Sequence, residues 1–555
     1  MAMALGSSRA IAFPRSESEM HKIAAEWFQS HTNYVKGQNI PITLQEVEHQ
    51  EEFAIYESDG RGFVVVCADD DYNPILAYST QSYQAEDTPD GLKWWLSSMK
   101  QALRTKQPHA KARKYHPVEN FLQTQWGQGS PYNLLCPDKN GKNYPTGCVA
   151  TALAQILYYF RYPAQGHGQG RYTTGPSQAP IYQEIQGTYS YDNMLPIYKG
   201  VTPTEEQSQS VAVLMRDLGL ASFMEYGTEG SGAMSNFAAQ GLIKNMDYDS
   251  LALRSYFRDW FNTTEWMDMV SNELQQARPV YYAGSDESQG GHAFIISGMD
   301  ENGLVYVNWG WEGKADGYYD IATLVPMYND RPLGQSFKKN QGMMFGFKAV
   351  DETTPPADYH SHIVLNDVGF IASSAMKNFI TLKTSAEIRN LSFLSFYGTI
   401  GFLLQRLDDS STPDKYVECY NSKSSKPITP YNGISSISKS LSISTLPEGS
   451  YRITFVCKPV QVDEYQAVRS LGGISYIDMT KNAKGELTFT DSQLIDGIYQ
   501  PASRTTATTA AITYVYDIQG RIVYTAPAAS FNLWNIPTHG LFIVKQGNNV
   551  HKVVR

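Results

Sequence analysis

Tyr144-Pro-Thr-Gly-Cys-Val-Ala-Thr-Ala-Leu-Ala-Gln-Ile-Leu-Tyr-Tyr-Phe160 is the most informative stretch of this chain. Val149, Leu153, Ile156, Leu157 and Phe160 recur at helical spacing and mark one apolar face, and Pro163 closes the helix. Cys148 therefore stands at a helix N-terminus, directly after Gly147, where unpaired backbone N–H groups and the helix dipole favour thiolate over thiol. The same N–H groups can donate to the oxyanion that forms when a thiolate attacks a carbonyl. A buried structural cysteine fits the same placement, so this stretch alone does not decide.

A cysteine nucleophile needs a base within hydrogen-bond reach, and His292 is the histidine whose context stands out. Gly290-Gly-His-Ala-Phe-Ile-Ile-Ser-Gly298 puts it at the head of a strand apolar on both faces, behind two glycines that let a substrate backbone approach. Asp300-Glu-Asn-Gly303 then turns the chain into Leu304-Val-Tyr-Val-Asn-Trp-Gly-Trp311. That hairpin brings Asn308 and Trp309 back toward His292, where an Asn can orient the imidazole and an aromatic can shield the bond from water. Taken alone, His292 also reads as a structural histidine.

Thr146-Gly-Cys-Val-Ala-Thr-Ala, Gly290-Gly-His-Ala-Phe and Val307-Asn-Trp-Gly-Trp311 together closely resemble the streptopain family of cysteine peptidases. The resemblance runs through Gln128-Gly-Ser-Pro-Tyr-Asn-Leu-Leu-Cys-Pro137 and Arg278-Pro-Val-Tyr-Tyr282. It also reaches back into Gly62-Phe-Val-Val-Val and Pro74-Ile-Leu-Ala-Tyr-Ser-Thr80, which look like the family's inhibitory prosegment, so that roughly residues 12 to 350 are covered. It implies a papain-like fold of two subdomains, with Cys148 attacking the scissile carbonyl and His292 shuttling the proton. It further implies that Gln128 joins the Cys148 N–H in the oxyanion hole, that Trp309 covers the histidine, and that Asn308 lies beside it. Ser231, Gly232 and Gly291 are expected to line the substrate cleft, although Gly232 stands where the family has Ser and Glu229 adds a charge. A hydrophobic side chain at the second subsite is expected. With the prosegment attached, the cleft should be covered and the histidine disturbed.

The rest of the chain fits an α+β zymogen of several units. At 555 residues it is too long for a single core. Residues 1–115 read as a leader remnant and prosegment. Met20, Ile23, Ala24 and Trp27-Phe28 give a helical face, and Phe53–Tyr56 and Gly62–Cys67 flank an Asp-Gly turn as a β-hairpin. The basic residues between Lys100 and Lys114 fit either a solvated helix end or a protease-sensitive activation linker. Residues 116–352 form the candidate catalytic domain, closed by a Pro-paired linker at 351–358. Short β-prone runs across 359–500, such as Phe379–Leu382, Ile400–Leu404 and Tyr451–Val456, predict a β-sandwich. The last unit, 510–555, predicts strands at Ile512–Tyr516, Arg521–Tyr524 and Leu541–Val544 and resembles the C-terminal sorting domain of type IX secretion cargo. That resemblance implies outer-membrane secretion machinery as a partner and a secreted or cell-surface location. A terminal β-module that only caps its neighbour is the alternative.

Composition narrows the remaining classes. A net charge of −10 repels nucleic acid and anionic membranes, and no run of 18 apolar residues exists to span a bilayer. The opening Met-Ala-Met-Ala-Leu-Gly-Ser-Ser lacks a basic region and is too short for a complete secretory signal. Five cysteines are too few for a disulfide scaffold; Cys419 and Cys457 fit a bridge or two free thiols equally. Metal-ligand spacing is absent, so no metal and no cofactor is expected. The expected partners are protein and peptide substrates and the chain's own prosegment. The competing readings are a surface adhesin with an inactive papain-like domain, and an acyl transferase in which an amine captures the thioester.

Overall fold

Ser16 opens the first helix, α1 (Glu17–Ser30), through a reciprocal capping box with Glu19. The face carrying Met20, Ala24 and Phe28 is buried, as the spacing predicts. The computed structural model describes residues 14–31, 42–105, 113–175, 177–286, 290–324, 341–348, 360–495, 512–517, 522–527, 541–546 and 549–554. The centre of the basic stretch, 106–112, therefore lies outside the described residues.

Beneath α1 run β1 (Leu44–His49), β2 (Phe53–Ser58), β3 (Gly62–Cys67) and β4 (Ile75–Ser79), followed by α2 (Asp90–Arg104). The expected hairpin is β2 and β3, in register from Phe53 opposite Cys67 to Ser58 opposite Gly62. Gly62 is required there: its φ is +90°, and a Cβ would lie 1.9 Å from the Ser79 carbonyl oxygen.

Residues 116–352 contribute to the main sheet β5 (Arg254–Phe257), β6 (Val280–Asp286), β7 (Gly290–Met299), β8 (Val305–Asn308), β9 (Gly317–Tyr319) and β10 (Gly342–Phe345). All ten strands join one antiparallel sheet in the order β1-β2-β3-β4-β9-β8-β7-β6-β10-β5. The N-terminal unit is thus not a separate body packed against residues 116–352. Its β4 pairs with β9, Ser79 opposite Gly317 and Ala77 opposite Tyr319, and the backbone ladder continues across.

Aromatic burial holds the prosegment in place. Trp94 and Trp95 of α2 are fully buried; Trp95 donates its indole N–H to the Asp320 carbonyl at 2.7 Å. Trp94 lies over Gly284 of β6, where a Cβ would sit 2.0 Å from its ring. Burying one such ring removes roughly 200 Å² from water and contributes at most about 5 kcal/mol, far more than any exposed ion pair.

The second subdomain is helical: α3 (Cys148–Phe160), α4 (Glu205–Ala221) and α5 (Ser235–Asn245) share one core, while α6 (Thr263–Gln275) packs on the sheet. Every residue of α3 from Cys148 to Leu157 is buried, because the helix lies between this core and β7. The two cores meet along β7, and that boundary carries the site.

Residues 363–494 form the expected sandwich, with sheets on both sides of a core built around Phe370, Phe402 and Phe455. It docks on the catalytic domain through Arg469, whose guanidinium pairs with both carboxylate oxygens of Glu265 at 3.0 and 3.1 Å and lies over the Phe261 ring. Cys419 and Cys457 are free thiols, as are the other three cysteines. The last unit is a four-stranded antiparallel sheet, and it adds a strand at Asn549–Val554 to the three read from sequence.

Candidate active site

Gly147 is the N-cap of α3 with φ +86°, and a Cβ on it would lie 2.7 Å from Met224 Sδ and 2.9 Å from the Ser231 carbonyl oxygen. Only glycine lets the chain turn here while the helix seats this deeply. Buried Thr146 locks the turn: its hydroxyl lies 2.8 Å from that of Thr151, and its N–H donates to the Gln128 carbonyl at 3.0 Å. That bond brings the half-buried Gln128 beside the nucleophile's loop.

Cys148 and His292 face each other across the subdomain boundary, each acting on the other's charge. Burial opposes ionisation of the Cys148 thiol, but the imidazole beside it and the Ala293 and Val149 N–H groups outweigh burial and hold its pKa below the ordinary thiol value. The same pair works on His292, where burial opposes the charge and the Cys148 sulfur and the Trp309 carbonyl hold the pKa above the ordinary imidazole value. Every other thiol moves the opposite way, because burial dominates: Cys67 and Cys457 are pushed up to about 12, and Cys136 and Cys419 to about 11. Among the five thiols, Cys148 is the one whose surroundings favour the thiolate.

The orienting group is not the one the hairpin suggests. His292 Nε2 lies 3.2 Å from the carbonyl oxygen of Trp309. Asn308 instead clamps three segments. Its amide N–H donates to the Thr124 carbonyl at 2.7 Å and to Gln155 Oε1 at 3.2 Å, and its oxygen accepts the Gly310 N–H at 2.9 Å. With its amide so engaged, Asn308 has no hydrogen bond to His292 among the described residues, and the expectation of an Asn beside the imidazole is corrected to a backbone carbonyl.

Two positioning residues escape the sequence reading. Asp316 accepts the Trp309 N–H at 2.9 Å, fixing the peptide unit next to the carbonyl that His292 uses; burial raises its pKa to about 7. Gln155, a polar residue in the buried stretch of α3, exchanges hydrogen bonds with Asn308 and accepts the Trp126 N–H at 3.3 Å. A lone glutamine inside that apolar run was the available signal. For Asp316 no local signal exists.

The Ser231 carbonyl abuts Gly147, and Gly291 precedes His292 on β7, opposite Ser285. Gly232 is exposed and exchanges both backbone hydrogen bonds with Glu225, closing the loop that carries Glu229.

Helix α2 lies directly on His292. Gly91, in the first turn of α2, fits against His292 and Trp309: a Cβ would stand 2.2 Å from His292 Cδ2 and 2.5 Å from Trp309 Cε3. The missing side chain lets the helix cover the ring while His292 and Cys148 still act on each other's charge.

Comparison with known proteins agrees with this architecture. The peptidase C10 family profile matches residues 126–319, and the Spi protease inhibitor profile matches residues 12–103. Streptopain from Streptococcus pyogenes is 31% identical over 299 residues, covering 49% of this chain and 74% of its own. The thiol protease/hemagglutinin PrtT of Porphyromonas gingivalis is 28% identical over 55% of this chain, which spans 37% of that relative. A solved fragment of Prevotella intermedia prointerpain A superposes over all its length and 56% of this chain, at 33% identity and a TM-score of 0.50.

Proposed function

The chain belongs to the peptidase C10 family, that of streptopain, and from this premise we propose how its groups carry out cysteine endopeptidase chemistry. The observation that carries the assignment is the Cys148–His292 contact, in which the one cysteine with a lowered pKa faces a histidine with a raised one. The Cys148 thiolate attacks the scissile carbonyl, and the Cys148 N–H and Gln128 stabilise the oxyanion. His292 gives its proton to the leaving amine, then takes one from the water that hydrolyses the thioester. Trp309 holds the imidazole through its carbonyl, and Ser231, Gly232 and Gly291 border the cleft. The intact pair favours a protease over an inactive adhesin.

The protein is made with its inhibitor attached: residues 1–115 are assigned as prosegment and activation linker, 116–352 as peptidase, 359–500 as sandwich and 510–555 as the terminal module. We further propose a secreted or cell-surface location, reached through outer-membrane secretion machinery that recognises 510–555. The resemblance of that module to sorting domains supports this, and no helix among the described residues is long and apolar enough to cross a membrane.

The test is to incubate the precursor with and without an irreversible thiol-directed peptide epoxide and follow its mass and its cleavage of unfolded casein. Trimming to a fragment beginning near residues 107–118, casein cleavage and one inhibitor adduct at Cys148 are expected. No cleavage even after limited trypsin treatment of the linker would move the binding-protein reading to the front.

A further inference from the structure

Part of the cleft is occupied by the precursor's own chain, and the partners it meets there describe what the released enzyme can hold. Between β4 and α2 the chain makes a short turn at Ala85–Asp87 before Asp90 begins α2. Asp90 lies near His292 and pairs with Lys93 of the same helix at 2.9 Å, so that pair leaves with the prosegment. Asp87 behaves differently: it pairs with Lys314, and Lys199 and the prosegment's own Lys93 add to the positive field around the same carboxylate. Lys314 and Lys199 belong to the catalytic domain.

Two segments deliver these cations to one place. Lys314 sits in the loop from Trp309 to Asp316, its N–H donating to the Trp311 carbonyl at 3.1 Å. Next to it, Gly313 packs against the Gln125 side chain, and Gln125 bridges to Ile197, two residues before Lys199. Glu312 of this loop packs against Gly127, Asp316 accepts the Trp309 N–H, and the ion pair Lys314 makes among the described residues is with Asp87.

The side of the cleft follows from the chemistry. The imidazolium protonates the leaving amine, so the downstream half of a bound peptide lies on the imidazole's side of the sulfur. The Trp309–Asp316 loop supports the imidazole there, whereas Ser231 flanks Gly147.

We propose that Lys314, assisted by Lys199, forms a carboxylate-binding subsite on the leaving-group side of the cleft, occupied by Asp87 in the precursor and by a substrate carboxylate in the released enzyme. That carboxylate is an Asp or Glu side chain shortly after the scissile bond, or the substrate's own C-terminus. The inference rests on the Cys148–His292 assignment, and its test separates the two. Lys314 remains about one-third exposed with Asp87 in place, so the interaction is modest and sensitive to salt.

The experiment uses the released enzyme and peptides identical up to the scissile bond, with Ala, Asp or Lys at each of the next three positions, each made with a free or an amidated C-terminus. At one position Asp should be favoured over Lys by about fivefold in kcat/KM, the gap closing in about 0.5 M salt. Lys314→Glu should reverse the order, and Lys314→Arg should keep it. A preference for free over amidated ends that follows the same variants identifies the C-terminus as the ligand. An Asp-to-Lys ratio equal in wild type and Lys314→Glu overturns the subsite while leaving the protease intact. Failure to cut any peptide or to take up the epoxide overturns both.

Discussion

The Cα of Gly91 lies so close to His292 that a single methyl group on it would stand 2.2 Å from the imidazole Cδ2. An inhibitory helix can therefore rest on the catalytic ring without moving it. Because His292 and Trp309 are both buried and held by neighbours, an added side chain must lift α2. Gly91→Ala precursor should react with the peptide epoxide at Cys148 at least about tenfold faster than wild type, the overpacking loosening the cover. Equal labelling rates, followed by intact mass before processing begins, would remove Gly91 from the latency mechanism.

Cys148→Ala should abolish turnover and leave the precursor uncut where processing is autocatalytic. Cys67→Ser, in a prosegment strand, should leave casein cleavage largely intact. Equal loss from both substitutions, measured after trypsin release, would undermine the choice of nucleophile.

Removing one oxyanion donor typically costs about 100-fold or more in turnover. Gln128→Ala should show that loss in kcat with little change in KM. An unchanged kcat in steady-state assays would take Gln128 out of the mechanism.

Asn308→Ala leaves Gln155, the Thr124 carbonyl and the Gly310 N–H short of a partner, which costs about 1–3 kcal/mol of stability. The imidazole keeps its Trp309 carbonyl, so the pH limbs of kcat/KM should stay in place while the denaturation midpoint falls. A shifted limb at unchanged stability would restore Asn308 to the orienting role.

The Cys148–His292 pair sets the pH dependence. The thiolate–imidazolium form is lost as pH falls through the thiol's lowered pKa and as pH rises through the imidazole's raised one. The released enzyme should give a bell-shaped kcat/KM profile with its acid limb below the ordinary thiol value of 9.0 and its alkaline limb above the ordinary imidazole value of 6.5. An acid limb at or above 9.0 would mean that His292 does not activate the thiol.

Local interactions made much of this legible from the residues in order. Helix periodicity and the Gly147 cap put Cys148 at the start of α3, and alternation around a tight turn put His292 and Trp309 on one hairpin, because both signals depend on neighbours a few residues apart. What the tertiary structure alone decided lies between distant segments: the β4–β9 register that merges prosegment and enzyme into one sheet, the seat of Gly91 on His292, and Lys314 meeting Asp87. The orienting group of the histidine belongs to the same class, for the Trp309 carbonyl is a backbone atom that every residue possesses, and only packing aims it. An asparagine side chain advertises itself in a sequence, whereas a carbonyl shows its role only once Asp316 and the Gln155–Asn308 clamp have fixed the loop that carries it.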